Sequence, residues 1–229
     1  MIAILFLVAA ALLPPFILLR VVYRMDTVEP EPGSLLRSLF LRGVLAMFPI
    51  MLLEVIGDQF VDFFPLGSLA YLFLSYFVIP GFVEEGVKYR VLYRRTWDDG
   101  NFDYRFDAIV YSVFVSLGFA AVENVMYVLT SGFGTAVMRA LFSIPGHAMF
   151  GVVMGAGYGA AKWLEAHGNY EQAAARRKRA WLTAAVLHGL YDFLLVGFGG
   201  VFYIYFIVMV VLTVGLLRRE AREDGPVNM

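Results

Sequence analysis

Seven apolar runs recur along the 229-residue chain. Each is long enough to cross the roughly 30 Å hydrocarbon core of a bilayer as a helix of about 17–25 residues. They cover 2–22, 39–56, 66–83 (continuing as helix to about Tyr93), 107–129, 135–161, 181–197 and 201–217. The runs are nearly continuous rather than alternating, which disfavours a transmembrane barrel. Composition points the same way. Hydrophobic residues make up 60% of the chain and charged ones 16%, against about 45–50% and about 25% in an average soluble domain. Mean hydropathy is +0.73. A water-soluble fold of this size could not hide so much apolar surface, and disorder needs the opposite balance. The expected fold class is all-α: a polytopic transmembrane helix bundle of about seven spans, read as one domain over 1–229.

The partition of Lys and Arg orients this bundle. Seventeen of the 18 basic residues follow spans 1, 3, 5 and 7 or flank those connections, and only Arg139 falls on the other side. By the positive-inside rule the basic side is cytoplasmic. The N-terminus is therefore expected outside and the C-terminus inside. The first run has no positive n-region, so it reads as an uncleaved span, with a kink expected at Pro14-Pro15. Net charge is −1, which excludes a broadly basic nucleic-acid binder and leaves the lipid bilayer as the expected environment. The lack of cysteine removes disulfides, thiolate metal ligands and cysteine nucleophiles.

Ionisable side chains within spans are costly and usually face the bundle interior, so each is a candidate functional group. They are Glu84, Glu85 and Lys88; Glu123 beside Asn124; His147; and His188 with Asp192. Glu84 and Lys88 are i,i+4 and share a helix face, whereas Glu85 points elsewhere on the helix. His188 and Asp192 have the same spacing. His147 begins the series Gly151, Gly155, Gly159, small residues that let a neighbouring helix approach closely. At about 1.5 Å per residue, Glu84 and His188 lie about 15 Å from the nearest cytoplasmic anchors, and Asp192, His147 and Glu123 lie deeper. Arg42 and Arg139 read as interfacial anchors, and Glu54 is expected near the outer boundary. Trp97, Trp163 and Trp181 read as interfacial belt residues, and His167 as a solvated loop residue.

Peptide hydrolysis needs an activated water and a stabilised oxyanion. A carboxylate can take the water's proton while an imidazole polarises the carbonyl or binds a metal. His147 and His188 with one of Glu85, Glu123 or Asp192 would supply the three ligands of a catalytic zinc site. No H-E-x-x-H, G-x-S-x-G or P-loop pattern occurs. A proton-coupled transporter or channel would also place Glu, His and Asp along a pathway, but such folds usually show an internal repeat, and none is visible.

The motifs taken together resemble a known family. Glu84-Glu85-Gly86-Val87-Lys88 is E-E-x-x-K, Phe119 to Asn124 is F-x-x-x-E-N, His147 follows in another span, and His188 to Asp192 is H-x-x-x-D. Their order resembles the PrsW family of intramembrane proteases, relatives of the type II CAAX prenyl endopeptidases, over about Gly81 to Phe193. Lys88 stands where the prenyl proteases carry arginine, and Glu123 where they carry histidine, which favours the PrsW branch. The resemblance implies site-1 cleavage of a membrane-anchored anti-sigma factor in a bacterial cell (inner) membrane. Glu84, Glu85, His147 and His188 would then be catalytic, supported by Lys88, Glu123, Asn124 and Asp192. The cofactor stays open between a divalent metal such as zinc and a metal-free glutamate mechanism. Site-1 cleavage belongs outside the cell, whereas the basic anchors put Glu84 and Glu85 in the cytoplasmic half.

Overall fold

The computed structural model describes residues 2–227, and among these it contains no β-strand. The helices are α1 (Ile2–Met25), α2 (Gly33–Val61), α3 (Leu69–Phe73), α4 (Ile79–Thr96), α5 (Asp107–Ser131), α6 (Phe133–Leu141), α7 (Ser143–Ala166), α8 (Tyr170–Gly197) and α9 (Gly199–Arg222). A π-helical turn, Leu74–Val78, joins α3 to α4. With α3 to α4 taken as one unit and α6 to α7 as another, seven helical segments are long and apolar enough to span a membrane.

Prolines explain the irregular places. Pro80 has no N–H for the carbonyl of Tyr76, and the backbone before it widens so that Ile79 N–H reaches Leu74 O. Pro145 lies in the first turn of α7 and has no N–H for Leu141 O, and the apolar run over 135–161 divides at Phe142 into α6 and α7. The first span behaves differently. α1 runs on as helix through Pro14 and Pro15. Pro15 cannot donate to Ala11 O, and that carbonyl accepts instead from Asn124 Nδ2 of α5 at 2.6 Å.

α5 is the central post, buried on nearly every face, with α1, α2, α4, α6 and α7 packed around it. Ile109, Val113 and Leu117 are fully enclosed. The glycine series of α7 does what its spacing predicts. A Cβ on Gly155 would come within 2.5 Å of Ile109 Cα, and one on Gly159 within 2.5 Å of Arg105 O. The two backbones are therefore in contact. Large apolar side chains such as Phe48, Leu52, Ile204 and Val211 point outward, where lipid is their solvent.

One sequence expectation about aromatic residues changes. Trp97 is not a belt residue but is 3% exposed, edge-on to Tyr158 with Lys162 Nζ donating to its carbonyl at 2.6 Å. Trp181 packs against Phe82 and Tyr89. Trp97 is drawn inward where the end of α4 meets α7, with the Arg177 guanidinium of α8 over its ring. Trp163 is exposed, and His167 is a surface residue beside it. At the same end the chain terminus straps across the loops. Val227 N–H donates to Asp103 O, and Arg105 N–H to Gly225 O.

Candidate active site

Four helices deliver the polar residues to one place, and glycine decides how closely they meet. Where α4 crosses α8, a Cβ on Gly81 would fall 2.5 Å from Ala185 O, and one on Gly189 would fall 2.3 Å from Phe77 O. Backbones this close leave no space for intervening side chains. Glu84 and Glu85, one turn beyond Gly81, are thereby pressed against His188, next to Gly189.

Lys88 is the hub. Its ammonium donates to Glu84 Oε2 at 2.9 Å, to Glu85 Oε1 at 2.8 Å and to His147 Nδ1 at 3.3 Å. Those three contacts use all three N–H bonds of an ammonium. The charge also sits 4.2 Å from the centroid of the Phe119 ring. Lys88 is 2% exposed, a position only a fully paired charge can hold. Glu85, although on a different side of the helix from Glu84, shares Lys88 with it. Its Oε1 also accepts from His188 Nδ1 at 2.9 Å.

Both histidines are held from two sides. His188 Nε2 lies 3.2 Å from Asp192 Oδ2, the i,i+4 pairing expected from their spacing. His147 Nε2 lies 3.0 Å from Glu123 Oε2. With Nδ1 accepting from Lys88, His147 is the neutral tautomer that donates from Nε2 to Glu123. The two rings meet edge to face with centroids 5.2 Å apart. Glu84, Glu85, His147 and His188 thus converge, whereas Glu123 and Asp192 stand on the far nitrogens of the two rings.

Sequence reasoning passed over one member, Arg139. It is not a simple interfacial anchor. From α6 it donates to Glu123 Oε2 at 2.6 Å and to Asn124 Oδ1 at 2.9 Å. Its position as the lone basic residue at the end opposite the basic loops was the available signal. Glu54 is half-buried and faces the same cavity.

A cavity of about 660 Å³ opens onto this cluster. Glu84, His147, His188 and Asp192 line it, together with Glu54 and Arg139. Glu85, fully buried, is not on its surface. The lining reaches Asp58, Thr130 and Val196, each within a turn of the helix ends Val61, Ser131 and Gly197. The cavity therefore opens at the end carrying those connections, opposite the basic loops.

The donor set also suits a metal. Glu84, Glu85, His147 and His188 each offer one ligand atom, and the four atoms lie within 4.8 Å of one another. Two carboxylates and two imidazoles match the chemistry of zinc. Glu85 Oε2 is buried with no hydrogen-bond partner among the described residues, so the cluster has acceptor capacity to spare. Glu123 and Asp192 are outside this group and would orient its imidazoles. The Lys88 ammonium is already hydrogen-bonded to three of the four residues. It and a divalent cation are alternative occupants.

A seven-span helical bundle with a buried glutamate–histidine cluster under a cavity is the arrangement an intramembrane peptidase needs. The comparisons agree. The sequence model of the "PrsW family intramembrane metalloprotease" matches residues 31–216, and this chain belongs to that family. It is 36% identical to Protease PrsW of Geobacillus kaustophilus, covering 96% of this chain and 92% of the relative. To Protease PrsW of Bacillus subtilis it is 33% identical, covering 97% of each. No solved structure matches.

Proposed function

We propose that this multi-pass intramembrane peptidase makes the first, outer-side cut in a single-span anti-sigma factor of a bacterial cell membrane, with its N-terminus outside and its C-terminus in the cytoplasm. The observation that carries the reading is that Glu84, His147 and His188 line a cavity whose mouth is at the end opposite the basic loops. That direction supports outer-side access despite the depth estimates. The carboxylates sit low in the bundle, but access to them runs from the outer side. The motif resemblance supplies the substrate class, and the 17-to-1 partition of basic residues supplies the orientation.

In this mechanism Glu84, the carboxylate exposed to the cavity, takes a proton from the attacking water and passes it to the departing amine. Lys88 donates to both carboxylates and holds the pair in place. Glu85, behind it, holds His188 by Nδ1. His188 Nε2–H turns from Asp192 toward the developing oxyanion, an exchange of one acceptor for another. His147, fixed by Glu123, holds the third N–H of Lys88. A zinc ion held by Glu84, Glu85, His147 and His188 would supply Lewis-acid polarisation and a more acidic water. Substrate backbone lies extended along the cavity, where local pairing satisfies its N–H and C=O groups away from water.

Co-reconstitution in liposomes with a single-span anti-sigma factor tests the reading. The expected result is one cut on the outer side of the substrate, lost in Glu84→Gln. Wild-type cleavage by Glu84→Gln, or a cut on the cytoplasmic side, overturns it. Reporter fusions at the loop containing Arg176 and Arg179 give the orientation separately, and an external signal there would reverse it.

A further inference from the structure

Arg139 lies outside the four motifs and outside the cage of possible metal ligands. It is held in a specific geometry. Its fork donates to two successive α5 residues, Glu123 and Asn124, and its guanidinium covers the Tyr127 ring with the carbon 4.3 Å from the centroid. The same Glu123 oxygen, Oε2, that takes the Arg139 N–H also takes His147 Nε2. Asn124, which accepts from Arg139, donates to the Ala11 carbonyl that Pro15 leaves open. A continuous line of contacts therefore runs from the first span to the active-site imidazole.

We propose that Arg139 is a positioning residue of the protease, clamping Glu123 so that this carboxylate fixes the ring orientation and tautomer of His147, with Asn124 and the Ala11 carbonyl as the clamp's anchor. Three features support the role over a purely structural one. The pair is only about 15% exposed on either side, so the guanidinium and carboxylate are shielded from the water that weakens surface pairs. A planar fork sets angles as well as charge, which an ammonium cannot do. The carboxylate on a histidine's far nitrogen governs which nitrogen is free for other work. Here that free nitrogen is Nδ1, which faces Lys88.

The inference rests on the proposed mechanism for its effect on rate, but the geometry it claims is testable without substrate. The protein has three histidines, so 15N-imidazole spectra of the full chain in nanodiscs resolve His147, assigned by its loss in His147→Gln. Arg139→Gln and Arg139→Lys are expected to shift the His147 nitrogens and leave those of His167 unmoved. In the cleavage assay both variants should lower kcat about 10–100-fold, the range typical of residues that orient a catalytic imidazole, with KM within about threefold. The loss from Arg139→Gln should largely vanish in a Glu123→Gln background. Arg139→Lys keeps the charge and guards against a folding defect in the glutamine variant. Unshifted His147 signals in both variants would overturn the proposal, as would a loss confined to KM. An uncleaved anti-sigma factor with shifted His147 signals would defeat the substrate reading and leave the clamp standing.

Discussion

Lys88 Nζ lies 3.3 Å from His147 Nδ1, across 59 residues of chain and from a different helix. The contact joins the E-E-x-x-K motif to the isolated histidine, and it places a lysine cation among the ligands that a metal would use. A buried ammonium with all its donors satisfied is stable in place, whereas the same ammonium beside a divalent ion would be repelled.

Competition between these cations is measurable. Lys88→Met removes the ammonium and leaves two carboxylates and two imidazoles facing one another. We expect this variant to bind zinc at least about tenfold tighter than wild type, a difference of about 1.4 kcal/mol, read by calorimetry on chelator-treated protein. Equal affinity would show that the ammonium and the metal do not share a position. Cleavage by wild-type protein stripped of metal, before and after zinc add-back, decides which occupant the active enzyme carries.

Glu84 and Glu85 are neighbours in sequence with different surroundings, and their variants should separate. Glu84→Gln removes the only one of the pair that reaches the cavity, and cleavage is expected to fall by at least about 100-fold, the lower end of what general acid–base catalysis contributes. Glu85→Gln loosens His188 and Lys88 and should also lower thermal stability, because a buried ion cluster loses one partner. Identical rate and stability effects in the two variants would contradict this division.

The crossing of α4 and α8 has no room for a side chain. Gly189→Ala should cost about 1–3 kcal/mol, as overpacking does, and should reduce cleavage further than that loss of fold explains, since His188 is moved with the backbone. A thermal melt and a single-turnover assay on the same sample give the two numbers. Unchanged melting would mean that the helices have slack here.

A pH effect is expected far from the site. Between α1 and α2, burial pushes the Asp26 carboxyl up to about 6 and the Glu31 carboxyl up to about 7. Glu31 accepts from the Tyr111 hydroxyl at 2.6 Å, which favours its ionised form but does not outweigh the burial. A carboxyl whose folded value is raised holds its proton longer when folded, so stability falls as pH rises from about 4 to about 7 and is flat above. Docking of this segment should tighten on acidification from pH 8 to 5.5, by about 1–3 kcal/mol. Amide exchange over residues 26–32 reads it. Glu31→Gln should weaken the dependence, and tighter docking at alkaline pH would reverse the assignment.

Span number, helical class and the identity of the buried polar residues were legible in the sequence because each depends on local chemistry. An apolar run of sufficient length spans a bilayer as helix, and charge within it must find a partner. The i,i+4 pairs Glu84–Lys88 and His188–Asp192 follow from helical spacing alone, as does the glycine face of α7. Long-range contacts follow no such spacing. That Lys88 serves both glutamates and His147, that Arg139 reaches Glu123, and that Trp97 turns inward depend on how α4 to α8 cross. Those crossings are set by backbone approach at Gly81 and Gly189 and by the widened turn before Pro80. Only the tertiary structure separates Glu84 from Glu85, since adjacent side chains on a helix point about 100° apart and one of the two must face the cavity.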